Sequence, residues 1–428
     1  MFKGLTKEEK SWIWFDWANA AYTMTVMSAI MGVYFPLSAR LAGIDNHTAY
    51  WGFANTIATL VAGTLAPILG TISGFHGKKK LLFNFFAFLG ILATAGLAFV
   101  PEYLWWLLLV IFVFSSIGFS GAIKIYDAFL VDVSEDSKMD RVSTTAFGWG
   151  YLGGGLAFII CIVPVVLIEF ELIDWSLVVA YRLAFTITAL WWLVFSLPMI
   201  KNVKQKYGTQ AKPGYIRQSF VNIWITLKDM AQDKYLIYFL IAFFLYSDGV
   251  SSIIRMATVY GEDIGIDIIT LLLVLLAVQF VAFPFAILYG KMAAKWGAKT
   301  TIYIGIGTYV VVCMIALLMN PDRDLEFLTM LFWLLALLVG TAQGGIQALS
   351  RSYFSKIIPK EKSNEYFGIY NVFGRFASII GTSLFGWVAI WTGQPHLGIA
   401  VIAILFILAA IIFKFVPDDR NYQKSNEV

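Results

Sequence analysis

The sequence predicts an all-α membrane protein with twelve transmembrane helices in two pseudo-symmetric six-helix bundles. Three observations predict it: composition, the spacing of apolar runs and the placement of positive charge. Of the 428 residues, 59% are hydrophobic and 14% charged, and the mean hydropathy is +0.76. Soluble domains carry about 45–50% apolar and about 25% charged residues. This chain therefore lacks the polar surface that a water-soluble body of its size requires, and lipid as solvent removes that requirement.

Apolar runs broken by charges, glycine and proline fall at 12–38, 48–73, 80–100, 103–132, 142–170 and 178–200. A second set follows at 234–260, 266–292, 299–319, 325–352, 365–391 and 396–416. Each is of the order of the 20 residues that cross hydrocarbon. Between the sets, 201–233 holds Lys201, Lys204, Lys206, Lys212, Pro213, Gly214, Arg217 and Lys228. Nothing there spans, so it reads as a basic linker between bundle 1–200 and bundle 234–428. With the N-terminus placed in the cytoplasm, 25 of the 31 lysines and arginines fall on the cytoplasmic side. The outer loops keep Arg40 and Arg323 beside Glu102, Glu169, Glu171, Asp174, Glu262, Asp263 and Asp267. That is the positive-inside pattern, and it predicts an inner-membrane protein with both termini cytoplasmic. It also accounts for the net charge of +4 without a nucleic-acid partner.

The first run, from Ser11, is too long for the core of a cleavable signal and lacks a small-residue cleavage site. Cys161 and Cys313 lie inside apolar runs and read as small core residues. His47, His76 and His396 are far apart and show no ligand spacing, so no metal or cofactor is expected. Gly148-x-Gly150-x2-Gly153 matches the dinucleotide fingerprint literally but lacks the strand and βαβ unit that give that motif its chemistry. These glycines, with Gly154, read as close helix packing.

Short patterns recur at an offset of 220 residues. Gly70, Gly77 and Lys79 match Gly290, Gly297 and Lys299, while Ser143, Phe147, Gly148 and Gly154 match Ser363, Phe367, Gly368 and Gly374. An offset of six helices relates halves of the same orientation, a parallel repeat. The run Gly70-x3-Gly74-x2-Gly77-Lys78-Lys79-Lys80 resembles the loop motif of the major facilitator superfamily. In that motif a glycine is followed by Asp-Arg, then glycine and basic residues. The motif's aspartate is Gly74 here and Ala294 in the second copy, so a carboxylate latch is missing or replaced.

Three further stretches narrow the resemblance. They are Trp14-Phe15-Asp16-Trp17-Ala18-Asn19-Ala20-Ala21-Tyr22; Leu245-Tyr246-Ser247-Asp248-Gly249-Val250; and Gly344-Gly345-Ile346-Gln347-Ala348-Leu349-Ser350-Arg351-Ser352 with Tyr366-Phe367-Gly368-Ile369-Tyr370. Together they resemble the autophagy-related vacuolar amino-acid effluxer family and its bacterial relatives, across essentially the whole chain. The resemblance implies a permease fold, with amino-acid export as the family's described role.

Ionisable groups inside spanning segments are costly and point to function. Segment one holds Asp16 and Asn19, and segment four holds Lys124 and Asp127, each pair three apart on one face. Segment seven holds Asp248 and Arg255, segment ten Gln343 and Gln347, and segment eleven Asn371 and Arg375. In the resembled superfamily, segments one, four, seven and ten line the central cavity. Lys124 and Asp127 can instead neutralise one another locally, and an Asp16–Lys124 contact is equally an inner gate or a packing clamp. Arg375 suits an anionic group such as a carboxylate or a structural pairing with Asp248. The leading reading is a secondary active permease for a small organic solute, amino acids first, working by alternating access and coupled to protons. Asp248 and Asp16 are the protonatable groups in that reading, and the expected partners are the solute, protons and the bilayer, with the chain a monomer. The alternatives are a non-transporting sensor or partner-binding protein on a transporter fold, and an exporter of lipids or amphiphilic drugs. No nucleophile–base pair or catalytic carboxylate pair stands out, which argues against an enzyme.

Overall fold

A computed structural model of the chain describes residues 2–210, 215–319, 323–376, 379–393 and 395–418. The first half forms α1 (Lys7–Leu41), α2 (His47–Ser73), α3 (Lys78–Leu97), α4 (Trp105–Ala128), α5 (Asp136–Glu169) and α6 (Leu177–Asn202). The second forms α7 (Lys234–Asp263), α8 (Ile268–Trp296), α9 (Ala298–Ala316) and α10 (Leu325–Ile357). Segment eleven is described as α11 (Ser363–Phe376) and α12 (Ile379–Thr392), and segment twelve as α13 (Pro395–Phe413). Among the described residues, ten helices are long and apolar enough to cross a membrane. A further helix, Tyr215–Gln232, occupies the linker that the sequence presents as a basic loop. It is too polar to register as a span. Thr226 and Met230 are buried, while Val221, Trp224 and Ile225 are exposed on the opposite face.

Local chemistry sets the element ends. Thr6 caps α1, its hydroxyl accepting from Glu9 N–H at 3.1 Å while the Glu9 carboxylate accepts from Thr6 N–H at 2.7 Å. This reciprocal pairing satisfies two N–H groups that a helix start leaves open. Tyr22–Ile30 widens into a π-helical stretch in mid-span, where Ser28 donates to the Thr23 carbonyl five residues back at 2.9 Å. Gly77 opens α3 at φ +76° and Gly297 opens α9 at φ +89°, a backbone region that disfavours side chains with a Cβ. These two are an offset-220 pair.

The chain forms two compact units. Unit 1 comprises Met1–Ser134, Trp149–Ile223 and Lys360–Gly368. Its helices meet through small residues: a Cβ on Gly118 of α4 would lie 2.2 Å from Gly90 N of α3, and one on Gly153 of α5 would lie 2.8 Å from the Trp17 carbonyl of α1. Gly150 and Gly154 likewise lie against Asp16 and Ala20, which is the packing role read from the sequence. Unit 2 comprises Glu135–Gly148, Trp224–Pro359 and Ile369–Val428. The first turns of α5 thus pack with the second half, and the first residues of α11 with the first half.

A buried ion pair organises the basic-loop end of unit 1. Lys79 Nζ meets Asp132 Oδ2 at 2.5 Å with both side chains fully buried. Lys79 also donates to the Ala128 carbonyl at 3.2 Å and lies 5.1 Å from the Phe129 ring centroid. The other Asp132 oxygen accepts from the backbone N–H groups of Lys206 and Tyr207 at 2.7 and 2.9 Å. One carboxylate therefore fastens the start of α3 and the strap that leaves α6. Removing one partner of such a pair costs about 3–5 kcal/mol, whereas replacing both by apolar groups is often neutral. Lys79→Ala is therefore expected to lower the thermal midpoint of the detergent-solubilised protein markedly. The double substitution Lys79→Met with Asp132→Leu should recover part of the loss, and equal loss in both would mean that an uncompensated Asp132 charge is not what destabilises the single variant.

Candidate functional site

In unit 1 the polar candidates lie where α1, α2, α4 and α5 meet. Asp16 is half-buried against Gly150, its Cβ 3.6 Å from where a Cβ on that glycine would stand. Asn19 is 5% exposed, and its Oδ1 has no hydrogen-bond partner among the described residues. Lys124 and Asp127 are both buried on successive turns of α4, and each, like Asp16, has a bonding or electrostatic partner. Lys124 donates to the Ala62 carbonyl of α2. Tyr22, at the start of the π-helical stretch, adds a polar link: its hydroxyl bonds Ser115 at 2.7 Å and Ser116 at 3.2 Å on α4.

In unit 2, Asp248 of α7 is fully buried. Its Oδ2 accepts from Gly381 N–H at 2.9 Å, and its Oδ1 accepts from the Ser252 hydroxyl at 3.4 Å. Gly381 lies on α12, and its backbone N–H is turned to the carboxylate from a neighbouring helix. A side chain there would collide, since a Cβ would stand 2.4 Å from Ser252 Oγ. Arg255 is exposed, and no ion pair joins it to Asp248 among the described residues. Gln343 and Gln347 are half-buried on α10. The Asn371 amide nitrogen is buried with no partner among the described residues, and the Arg375 side chain lies outside them.

The loop-motif residues occupy equivalent positions in the two units. A Cβ on Gly70 would lie 2.6 Å from the Asn364 carbonyl and 2.9 Å from Gly368 Cα at the start of α11. One on Gly290 would lie 2.2 Å from Thr144 Oγ1 at the start of α5. Asn364 Nδ2 donates to the Ser73 carbonyl at 3.2 Å. Lys79 holds Asp132, as above, and Lys299 donates to the carbonyls of Lys414, at 3.1 Å, and Val416 beyond α13. Lys80 does the same at α6, reaching the Met199 and Val203 carbonyls at 2.6 Å each. With Gly74 in place of an aspartate, these contacts stand where a carboxylate latch is absent.

A second cluster fastens the end of α10 to the start of α5 within unit 2. Asp140 accepts from Lys356 Nζ at 2.6 Å and from the Ser352 hydroxyl at 2.7 Å. Arg351, 3% exposed, donates through Nε to Ser143 Oγ at 3.0 Å and lies 4.5 Å from the Phe147 ring centroid. Arg351, although near the end of α10, is turned inward. Sequence reasoning did not single out Asp132, Asp140, Tyr22 or Lys356. Asp140 and Lys356 lie near helix ends and look like ordinary loop charges, and only the Ser143–Ser363 repeat pointed to this region.

Comparison with known proteins agrees with this geometry. The family described as "Vacuole effluxer Atg22 like" matches residues 130–426. The "Uncharacterized MFS-type transporter YxiO" of Bacillus subtilis (strain 168) is 44% identical over 429 residues, covering 100% of this chain and 99% of that protein. Autophagy-related protein 22 of Yarrowia lipolytica (strain CLIB 122 / E 150) is 24% identical over 326 residues, covering 67% of this chain and 51% of that one. The chain thus spans about half the length of that fungal relative. Among solved structures, the proton:xylose symporter XylE aligns with a TM-score of 0.73 at 12% identity, covering 96% of both chains. The E. coli fucose:proton symporter FucP aligns at 0.69 and 13% identity, covering 96% of this chain and 98% of that one. The twelve-helix fold is that of the major facilitator superfamily, and the chain is a membrane transporter that belongs to its Atg22-like branch.

Proposed function

We propose that the chain is a secondary active permease for a small organic solute, with amino acids as the first substrate class, working by alternating access and coupled to protons. The observation that carries the proposal is the polar latch at the basic-loop end. Asp140, Lys356, Ser352, Arg351 and Ser143 join helix ends that the sequence assigns to different halves. Alternating access requires a seal at one end that can open. Polar contacts with some solvent access can be exchanged for water, and the Lys356 and Asp140 side chains are 7% and 16% exposed. The effluxer description of the matching family supports solute transport, amino acids follow from the family resemblance of the sequence motifs, and the proton-coupled sugar symporters of the same fold support the coupling. The charge asymmetry of the loops supports a cell-membrane protein with cytoplasmic termini, monomeric, with bundles 1–200 and 234–428 joined by the 201–233 linker.

In the proposed cycle Asp248 and Asp16 carry the exchangeable proton, and Asn19, Lys124, Asp127, Arg255, Gln347, Asn371 and Arg375 serve the solute path and its gates, with Gln343 one turn before Gln347 on α10. Protonating Asp248 weakens its grip on Gly381 N–H, which gives the proton a mechanical handle on α12. In proteoliposomes with an imposed pH gradient and a labelled amino-acid panel, wild type should accumulate at least one solute. Asp248→Asn should lose gradient-driven accumulation while keeping solute exchange. Intact accumulation in both Asp248→Asn and Asp16→Asn would sink the coupling scheme, and no flux for any amino acid would remove the substrate class.

The latch has its own test. Thr144→Cys places a thiol against Gly290, where Thr144 is 1% exposed. Adding Lys356→Ala should raise its labelling by an impermeant maleimide about fivefold, as expected for losing ~1 kcal/mol from a part-buried pair. An unchanged rate would mean that the Asp140–Lys356 pair holds nothing shut.

A further inference from the structure

Within unit 2, residues of α7, α8, α9, α10, α12 and α13 line a partly open pocket of about 150 Å³. It is distinct from the Asp248–Gly381 contact, and neither residue lines it. Val278, Ala316 and Val339 typify its walls, which are almost wholly aliphatic and aromatic. The exceptions are the amides of Gln279 and Gln343 and the thiol of Cys313, and no charged side chain lines it. The Gln343 side chain has no hydrogen-bond partner among the described residues.

Three physical constraints define what can fill this space. Apolar space of about 150 Å³ takes a single benzene-sized group. A charged ligand would be desolvated with no counter-charge to meet it, which excludes amino-acid zwitterions and carboxylates from this cavity. A water molecule needs two to four polar partners, and this lining offers too few to hold a water-filled pocket. An amide carries both donors and an acceptor, so the open Gln343 side chain suits one uncharged hydroxyl, carbonyl or N–H. We propose that this cavity is a binding site for a small uncharged ring, or a hydrocarbon group of similar size, bearing one hydrogen-bonding group that meets Gln343. The site lies inside one unit, and the proposal stands whichever solute the protein carries.

The full-length protein in detergent provides the test, with phenol, benzene and benzoate as probes at neutral pH. Affinity is read by calorimetry, with the shift in thermal midpoint alongside. Phenol should bind and raise the midpoint, benzene should bind more weakly, and benzoate should do neither. Gln343→Leu should weaken phenol about five- to tenfold, the weight of one hydrogen bond, and leave benzene unchanged. Ala316→Phe and Val339→Phe, two independent fillings, should each abolish both, so a folding defect in one leaves the other to decide. Benzoate binding as well as phenol would overturn the proposal. So would phenol stabilising the filled variants as it does wild type. A phospholipid retained by wild type in native mass spectrometry and lost from both filled variants would assign the space to an acyl chain and overturn it too.

Discussion

Hydrocarbon offers a backbone N–H or C=O nothing to bind, so every such group inside a spanning segment must be met by the protein. Ordinary helix turns meet it, and difficulty arises where a helix ends, breaks or kinks. This chain sets its buried charges against backbone groups, at such points and elsewhere. Lys124 answers the Ala62 carbonyl of α2, Asp248 answers the Gly381 N–H of α12, and Lys79 answers the Ala128 carbonyl at the end of α4. Lys80 and Lys299 answer the last carbonyls around α6 and α13, and Arg182 answers the Val100 carbonyl at 2.9 Å. Intramembrane charge here is largely the complement of backbone groups.

That constraint changes how the candidate residues are read. An ionisable group in a span is a functional hypothesis by default, yet most of these have backbone work as well. The two roles are compatible. A carboxylate that holds a backbone N–H of a neighbouring helix couples its own protonation to the position of that helix, so Asp248 in the proposed cycle is a lever as well as a proton carrier. Asn19 and Asn371 stand apart. Each leaves an amide atom buried without a partner among the described residues, an arrangement that costs stability. They are therefore the polar groups with capacity to spare for a solute.

Most of the architecture was legible in the sequence because its signals are long and local. Twenty-residue apolar runs and basic loops need no tertiary context to be recognised. The linker helix Tyr215–Gln232 was missed because its apolar residues are interrupted by Arg217, Gln218, Asn222, Lys228 and Asp229, so a search for continuous runs passes over it. The site was less legible because its bonds join distant positions. Lys79 and Asp132 are 53 residues apart, and Lys356 and Asp140 are 216 apart. Nothing in the local pattern distinguishes Asp132 from any acidic residue at a helix end. The apolar cavity is still less readable, since it is the space left between six helices whose side chains each look like ordinary core.

The offset-220 repeat is the exception, and packing explains it. Gly70 lies against Asn364 and Gly368, and Gly290 lies against Thr144. Thr144 and Asn364 are themselves an offset-220 pair, as are Gly70 and Gly290, so the two contacts are copies of one another. In both, a Cβ on the glycine would stand well inside contact distance, at 2.6 Å and 2.2 Å. Elsewhere the halves are free to diverge, because one apolar side chain replaces another in a lipid-facing helix at little cost. At these crossings backbone meets neighbouring helix directly, and only glycine fits. Where the loop motif's aspartate is replaced by Gly74, Asn364 binds the Ser73 carbonyl and Lys79 is held by Asp132. The glycines have no such substitute, which is why they are what remains visible of the duplication.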